Sequence, residues 1–90
     1  MSQRIVVAAA EVACPTGTGT ASTFGNATVV RLVNTTSTAR LVTVVEEASG
    51  TVLGSFTLLG NTVEFLQKRS SHCIFAAHAS VLGTSVGFTN

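Results

Sequence analysis

The stretch LGSFTLLGNTVEF, residues Leu53 to Phe65, decides the fold because it joins two apolar, β-rich runs through a Gly-Asn pair. Glycine and asparagine tolerate the positive φ of a two-residue turn, so Gly60-Asn61 predicts a β-hairpin. In that register the cross-strand pairs are Leu59 with Thr62, Leu58 with Val63, Thr57 with Glu64, and Phe56 with Phe65.

The two faces of this hairpin differ in composition because side chains alternate along a strand. The predicted core face collects Phe56, Leu58, Val63 and Phe65. The opposite face mixes hydroxyl and carboxylate side chains with three leucines, Leu53, Leu59 and Leu66. These three leucines are candidates for contact with a neighbouring molecule.

Short runs rich in Val, Thr, Ile and Phe recur along the rest of the chain, with turn-forming residues between them, which is typical of sandwiches and barrels. Residues 1–90 have room for one hydrophobic core and therefore for a single domain. We predict an all-β fold, an antiparallel β-sandwich or small barrel of about seven short strands. The strands are placed near 3–13, 27–34, 39–47, 51–59, 62–69, 72–79 and 81–88.

Residues 15–26, PTGTGTASTFGN, contain the one proline of the chain and predict a long loop. Its Gly-Thr repeat lacks the Lys-Ser/Thr ending of a phosphate-binding loop, and no helix signal follows it. We expect it to contact a partner instead, through Thr16, Gly17, Thr18, Gly19 and Thr20.

The register of strand 39–47 stays open at this point. A three-residue turn with Gly50 left-handed puts Val42 and Val44 on the core side. A two-residue turn at Ser49-Gly50 puts Leu41 and Val45 there, because a shift of one residue exchanges the faces. Either way the strand carries apolar side chains on both faces, which predicts cover from another subunit.

Composition excludes several classes of function. Charged residues make up 10% of the chain, against about 25% in an ordinary soluble domain. With a net charge of +1 and neither Trp nor Tyr, the chain offers no basic, aromatic surface for nucleic acid. No apolar run approaches the length of about 20 residues that a membrane-spanning helix needs.

Catalysis and cofactor binding also lack support in the sequence. The chain has no Asp, so Ser-His-Asp and Asp-based acid–base sites are excluded. His72 and His78 would lie about 20 Å apart on one strand, with Cys73 facing the other way, which is a poor zinc site. We predict no enzyme activity, no metal and no cofactor.

The two cysteines, Cys14 and Cys73, leave two alternatives open. They form one disulfide if strand pairing brings them together, or they remain two small buried apolar residues. The apolar run Ile5 to Ala10 is short for a signal peptide and Glu11 closes it. We therefore expect the chain to stay in the compartment where it is made, where thiols are reduced.

The block over residues 27–76 resembles the small all-β virion proteins of tailed bacteriophages, particularly those of marine phages. The resemblance rests on VVRLVNTTSTARLVTV, on GSFTLLGNTVEFLQKR and on the short Thr- and Val-rich chain. It implies a β-sandwich subunit that is assembled in the host cytoplasm and resides in the virion. It also implies contacts with the major capsid protein or other virion proteins.

The function expected from the residues and the resemblance together is a non-enzymatic capsid decoration or cement subunit that bridges capsomers. We expect a homo-oligomer, with a trimer favoured. The first alternative is a structural subunit of the tail, baseplate or fibre. The second is a glycan-binding or host-surface-binding module, although sandwich lectins commonly use the Trp and Tyr that this chain lacks.

Overall fold

The computed structural model describes the backbone of residues 4–7 and 10–89, and the side chains of residues 10–87. The strands are β1 (Arg4–Val7), β2 (Val12–Ala13), β3 (Val29–Asn34), β4 (Arg40–Val45), β5 (Val52–Leu58), β6 (Val63–Gln67), β7 (Cys73–Ala76) and β8 (Val81–Thr89). The described residues contain no α-helix, and one 3-10 turn spans Thr18–Thr20. Each strand falls inside one of the predicted segments, except that β8 extends one residue beyond its segment, to Thr89.

Two antiparallel sheets pack together as a small β-sandwich, which confirms the predicted fold class. The larger sheet has five strands in the order β1-β8-β3-β6, and β2 pairs with β8 beside β1. The smaller sheet has the order β5-β4-β7. The predicted first strand, 3–13, is therefore two short strands along one edge of β8.

The predicted hairpin between Leu53 and Phe65 is wrong. β5 pairs with β4, with Val42 opposite Phe56, while β6 pairs with β3, with Val30 opposite Leu66. Gly60-Asn61 therefore joins the edge of one sheet to the edge of the other instead of closing a hairpin.

The local conformation at Gly60-Asn61 is compatible with either connection, and tertiary contacts decide between them. Asn61 is left-handed, with φ 56°, as a tight turn requires. A Cβ on Gly60 would overlap the backbone of Ser37, so the connection passes directly against the β3–β4 loop. The Asn61 N–H donates to the carbonyls of Asn34 and Thr36, at 3.0 Å and 2.9 Å. These bonds hold residues 60–61 against the end of β3 and the β3–β4 loop, so the chain does not turn back to pair with β5.

β4 follows the first of the two registers, with one irregularity. Val42 is fully buried in the core and Val44 packs against it, whereas Leu41 is exposed. The β4–β5 register shifts between Val44 and Val45, and Val45 is also buried. In the turn that follows, Ser49 and not Gly50 is left-handed, with φ 61°.

The core lies between the sheets and contains mostly small and branched side chains. Its buried members are Cys14, Phe24, Val30, Leu32, Val42, Leu58, Ile74, Ala76 and Val81. Ala27, Val44, Phe56 and Leu66 pack against it from its border. This cluster contains residues from both sheets, and their packing holds the two sheets face to face.

One polar side chain, Asn34, is fully buried at the border of this core. Its Nδ2 donates to the carbonyl of Thr38 at 2.7 Å and to that of Leu58 at 3.1 Å. Its Oδ1 accepts from the N–H and the hydroxyl of Thr36, at 3.1 Å and 2.9 Å. The side chain thus links β3, the β3–β4 loop and the end of β5, with all its hydrogen-bonding capacity used.

We expect Asn34→Asp to lower the free energy of unfolding by about 3 kcal/mol, because a carboxylate oxygen would replace the donor that faces two buried carbonyls. Urea unfolding followed by far-UV circular dichroism measures the change. Asn26→Asp is the matched control at an exposed, left-handed position, and it should change the value by less than about 0.5 kcal/mol. Equal midpoints for wild type and Asn34→Asp would contradict the assigned role.

Candidate interaction surfaces

The side of the sandwich formed by β5, residues 59–62 and β6, hereafter the open side, concentrates the exposed large apolar residues. β5 and β6 are edge strands of different sheets, and the connection between them places both edges on the same side. The exposed fractions are Val52 58%, Leu53 49%, Leu59 61%, Val63 40% and Phe65 42%. Val63 and Phe65 lie on the outer face of the larger sheet, opposite Val33 and Arg31, whereas Val52 and Leu53 belong to the smaller sheet, so the exposed apolar residues border the two edges. Exposed apolar residues in this number are typical of a binding surface.

Two of the three leucines predicted to share a contact face lie on the open side, and the third does not. Leu53 and Leu59 are exposed. Leu66 lies opposite Val30 and packs against the core cluster. The correction follows from the broken hairpin, because β6 is turned by its pairing with β3 rather than with β5.

The predicted contact loop is a fixed part of the fold. The carbonyl of Pro15 accepts from the N–H of Ala76 at 2.9 Å, and Ser22 forms an antiparallel bridge with Ile74. Further along the loop, the Thr18 carbonyl accepts from the N–H of Ser49 at 2.8 Å. The loop thereby covers the outer edge of β7.

Within this loop, the predicted contact residues differ in exposure. Thr16, Thr18, Gly19 and Thr20 are exposed, and Gly17 is half-buried. The Thr20 hydroxyl donates to the Gly17 carbonyl at 3.2 Å. The segment therefore offers a small hydroxyl-rich surface on a rigid turn.

A cleft of about 270 Å³ opens where the end of this loop meets β8 and the N-terminal strands. Its lining residues are Ala10, Val12, Ser22, Phe24, Gly25, Thr84 and Ser85. None of them carries a charge, so the cleft suits a neutral, partly apolar group of small size.

The wall of the cleft contains a rare backbone conformation. Phe24, Gly25 and Asn26 are all left-handed, with φ of 52°, 69° and 58°, and a left-handed aromatic residue is strained. The Ser22 hydroxyl accepts from the N–H of Phe24 at 3.0 Å. A Cβ on Gly83 would lie 2.7 Å from the Phe24 ring, so Gly83 provides the room in which the ring is buried.

Lys68 is buried beside the same end of the loop, residues 23–27. Its Nζ donates to the carbonyls of Ala27 at 2.7 Å, Thr23 at 3.0 Å and Arg69 at 3.3 Å. Burial lowers the pKa of Lys68 below its ordinary value of 10.5, while the nearby Cys73 acts in the opposite direction. The side chain closes residues 23–27 onto the end of β6, so its role is structural.

The cysteines and histidines lie in separate surroundings. Both cysteines are free, and burial raises the pKa of the Cys14 thiol to about 12, which makes that thiol unreactive at neutral pH. His78 accepts at Nδ1 from the N–H of Ser80 at 3.0 Å. In the part of the chain that the structure describes, no three His, Cys, Asp or Glu side chains converge on a metal position.

An ion pair within the described residues joins β3 to the segment before β2. Arg31 Nη1 lies 2.8 Å from Glu11 Oε2, and both side chains are partly exposed. A pair this exposed contributes little to stability, and it leaves no strong field on either sheet. Among the residues 4–7 and 10–89, none forms a helix of the length and apolarity needed to cross a bilayer.

Comparison with known proteins identifies no family or relative for the chain. No family model, no curated protein and no solved structure matches the chain.

We expect Lys68→Met to lower the free energy of unfolding by about 3 kcal/mol at neutral pH, because three carbonyls lose a charged donor. The difference from wild type should grow as the pH rises toward 10.5. Between the lowered pKa of Lys68 and 10.5, the unfolded wild-type chain binds more protons than the folded one, so wild-type stability increases with pH.

Urea unfolding at a series of pH values measures both effects, with Arg69→Met as the exposed neighbouring control. A difference between wild type and Lys68→Met that shrank as the pH rose would contradict the assigned sign.

Proposed function

We propose that the chain is a non-enzymatic structural subunit of a bacteriophage virion, which binds its neighbours through the open side. The observation that carries the proposal is the concentration of exposed apolar side chains on two adjacent sheet edges, β5 and β6. The low charge of the chain supports a binding role over catalysis. The sequence resemblance to small virion proteins supports the location.

Within the virion, we propose a capsid decoration or cement subunit whose partners are the major capsid protein or other virion proteins. A subunit of this kind bridges capsomers, so its contacts must break before the capsomers can separate. The exposed, rigid loop around Thr18 provides a second contact surface on the same small domain. Assembly as a homo-oligomer belongs to the same proposal.

The free energy available from burying the open side of one subunit is small, so a single contact would be weak. This favours binding through several contacts at once. Its five exposed residues are each about half covered already, so complete burial would contribute roughly 1 kcal/mol each, or about 5 kcal/mol together. The loss of translational and rotational freedom on association costs about 4–15 kcal/mol. A subunit that is present in many copies, or that contacts several neighbours at once, overcomes this cost through effective concentration.

We expect Leu59→Glu to release the subunit from its particles while the isolated fold stays intact, because Leu59 is 61% exposed and a carboxylate would be buried in the contact. The measurement is the copy number per purified particle by quantitative mass spectrometry, in cells that produce the virion. Incorporation should fall at least about tenfold, which corresponds to about 1.4 kcal/mol.

Val12→Glu is the matched control, since Val12 is 52% exposed at the opposite edge of the larger sheet. It should leave incorporation unchanged. Equal incorporation of Leu59→Glu and wild type would overturn the role of the open side.

A further inference from the structure

The edges of the two sheets are not equally protected against pairing with another strand. The edge of β7 is covered by the loop through Pro15 and Ser22. In the edge formed by β1 and β2, Ala10 and Glu11 lie outside both strands, and β6 carries an exposed Glu64. Interruption, charge and cover are the devices by which proteins protect edges.

β5 is neither covered nor charged, and its irregularity is a bulge at Leu53, where the β4–β5 register shifts, so residues 54–58 form the regular part of this edge. The strand is seven residues long, VLGSFTL, and carries neither a charge nor a proline. It lies at the end of the smaller sheet with β4 as its described neighbour. An exposed edge strand of this composition is suited to pairing with a further strand.

The direction of the backbone groups of β5 follows from a bond on the far side of β4. The Ala77 N–H donates to the Leu41 carbonyl at 2.8 Å, so the polar groups of Leu41 point toward β7. Backbone groups alternate along a strand, so those of Val42 point toward β5, where Val42 lies opposite Phe56. The N–H and C=O of Ser55 and Thr57 therefore point away from β4, toward the open side.

We propose that β5 pairs antiparallel with β5 of a second copy of this chain, about a two-fold axis at Phe56. Ser55 then lies opposite Thr57 of the second copy, and Thr57 opposite its Ser55. Both pairs exchange their N–H and C=O groups, which gives four hydrogen bonds across the axis. The smaller sheets of the two copies become one continuous six-stranded sheet.

Side chains select this register over its neighbours. Phe56 is half-buried at the border of the core, and the axis brings it against Phe56 of the second copy, as an aromatic cross-strand pair. The same register brings the exposed Leu53, at the bulge, to the level of Leu59 of the second copy, which lies just beyond the end of β5. An axis at Gly54 or Ser55 would instead place Leu59 opposite a polar side chain, Ser49 or Thr51.

This contact rests on the proposed function and adds to it one binding partner of the open side, which is a second copy of the same chain. A two-fold contact joins copies in pairs, and it is distinct from the three-fold assembly that the sequence favours. The solution mass of the chain separates these two symmetries.

The test is a charge exchange between Leu53 and Leu59, with the mass of the full chain measured by sedimentation equilibrium from about 1 µM to 1 mM. The wild-type mass should rise about twofold over this range. Leu53→Glu and Leu59→Lys should each raise the dimer Kd at least about tenfold, because each single variant buries one charge against leucine. The double variant should return to within about threefold of wild type, since glutamate then faces lysine of the other copy.

This rescue reports a contact between copies, because within one copy Leu53 lies near the start of β5 and Leu59 just beyond its end, about 20 Å away. The control is Leu53→Glu combined with Val12→Lys, which has the same net charge and should stay as weak as Leu53→Glu alone. Amide hydrogen exchange provides a second measurement. The Ser55 and Thr57 amides of wild type should become protected as the concentration rises.

A wild-type chain that stays monomeric, a trimer, or a double variant as weak as the single variants would each overturn the contact. Incorporation into particles is scored separately for the wild-type chain. A wild-type chain that is incorporated but stays monomeric in solution overturns the contact alone, whereas a wild-type dimer that is absent from particles overturns the proposed function.

Discussion

The buried amide of Asn34 is the contact on which the arrangement of the two sheets depends. It donates to the carbonyl of Leu58 at the end of β5 and accepts from Thr36 in the β3–β4 loop. Its own backbone accepts from the N–H of Asn61, and its N–H donates to the Thr62 carbonyl at 3.0 Å. Both cysteines are free, so packing and this network, rather than a disulfide, hold β5 and β6 in separate sheets. A buried network of this kind specifies one arrangement because its groups pair poorly in any other.

That arrangement explains why apolar side chains remain exposed on one side of the molecule. A hairpin would satisfy the edges of β5 and β6 with each other. The connection through Gly60 instead leaves both edges available, with Leu53 and Leu59 beside them. The surface that we assign to binding is therefore a consequence of the topology, and the strand composition alone does not create it. Other borders of the sandwich are closed. The loop that contains Thr18 covers the outer edge of β7, and the Lys68 side chain joins residues 23–27 to the end of β6.

The sequence predicts the positions of the strands well, because alternation and turn residues are local signals. It does not predict the pairing of β5 with β4 and of β6 with β3, because Gly60-Asn61 suits a hairpin turn and a connection between sheets equally. The deciding contacts, Ser37 against Gly60 and Asn34 against Leu58, join residues that are distant in the sequence. For the site, the mixed face identifies Leu53 and Leu59 but misplaces Leu66, whose burial depends on its pairing with Val30. Nothing local marks Lys68 as a buried donor or Phe24 as left-handed, because both features depend on how the loop returns to the sheets.

The central claim is that β5 and β6 belong to different sheets, and nuclear Overhauser contacts in the isotopically labelled protein test it most directly. The account predicts cross-strand contacts between Val42 and Phe56 and between Val30 and Leu66, the pairs that define the two sheets. It predicts no backbone contacts between Thr57 and Glu64. Cross-strand contacts between Thr57 and Glu64 and between Leu58 and Val63 would show the hairpin instead. They would contradict both the topology and the open side that follows from it.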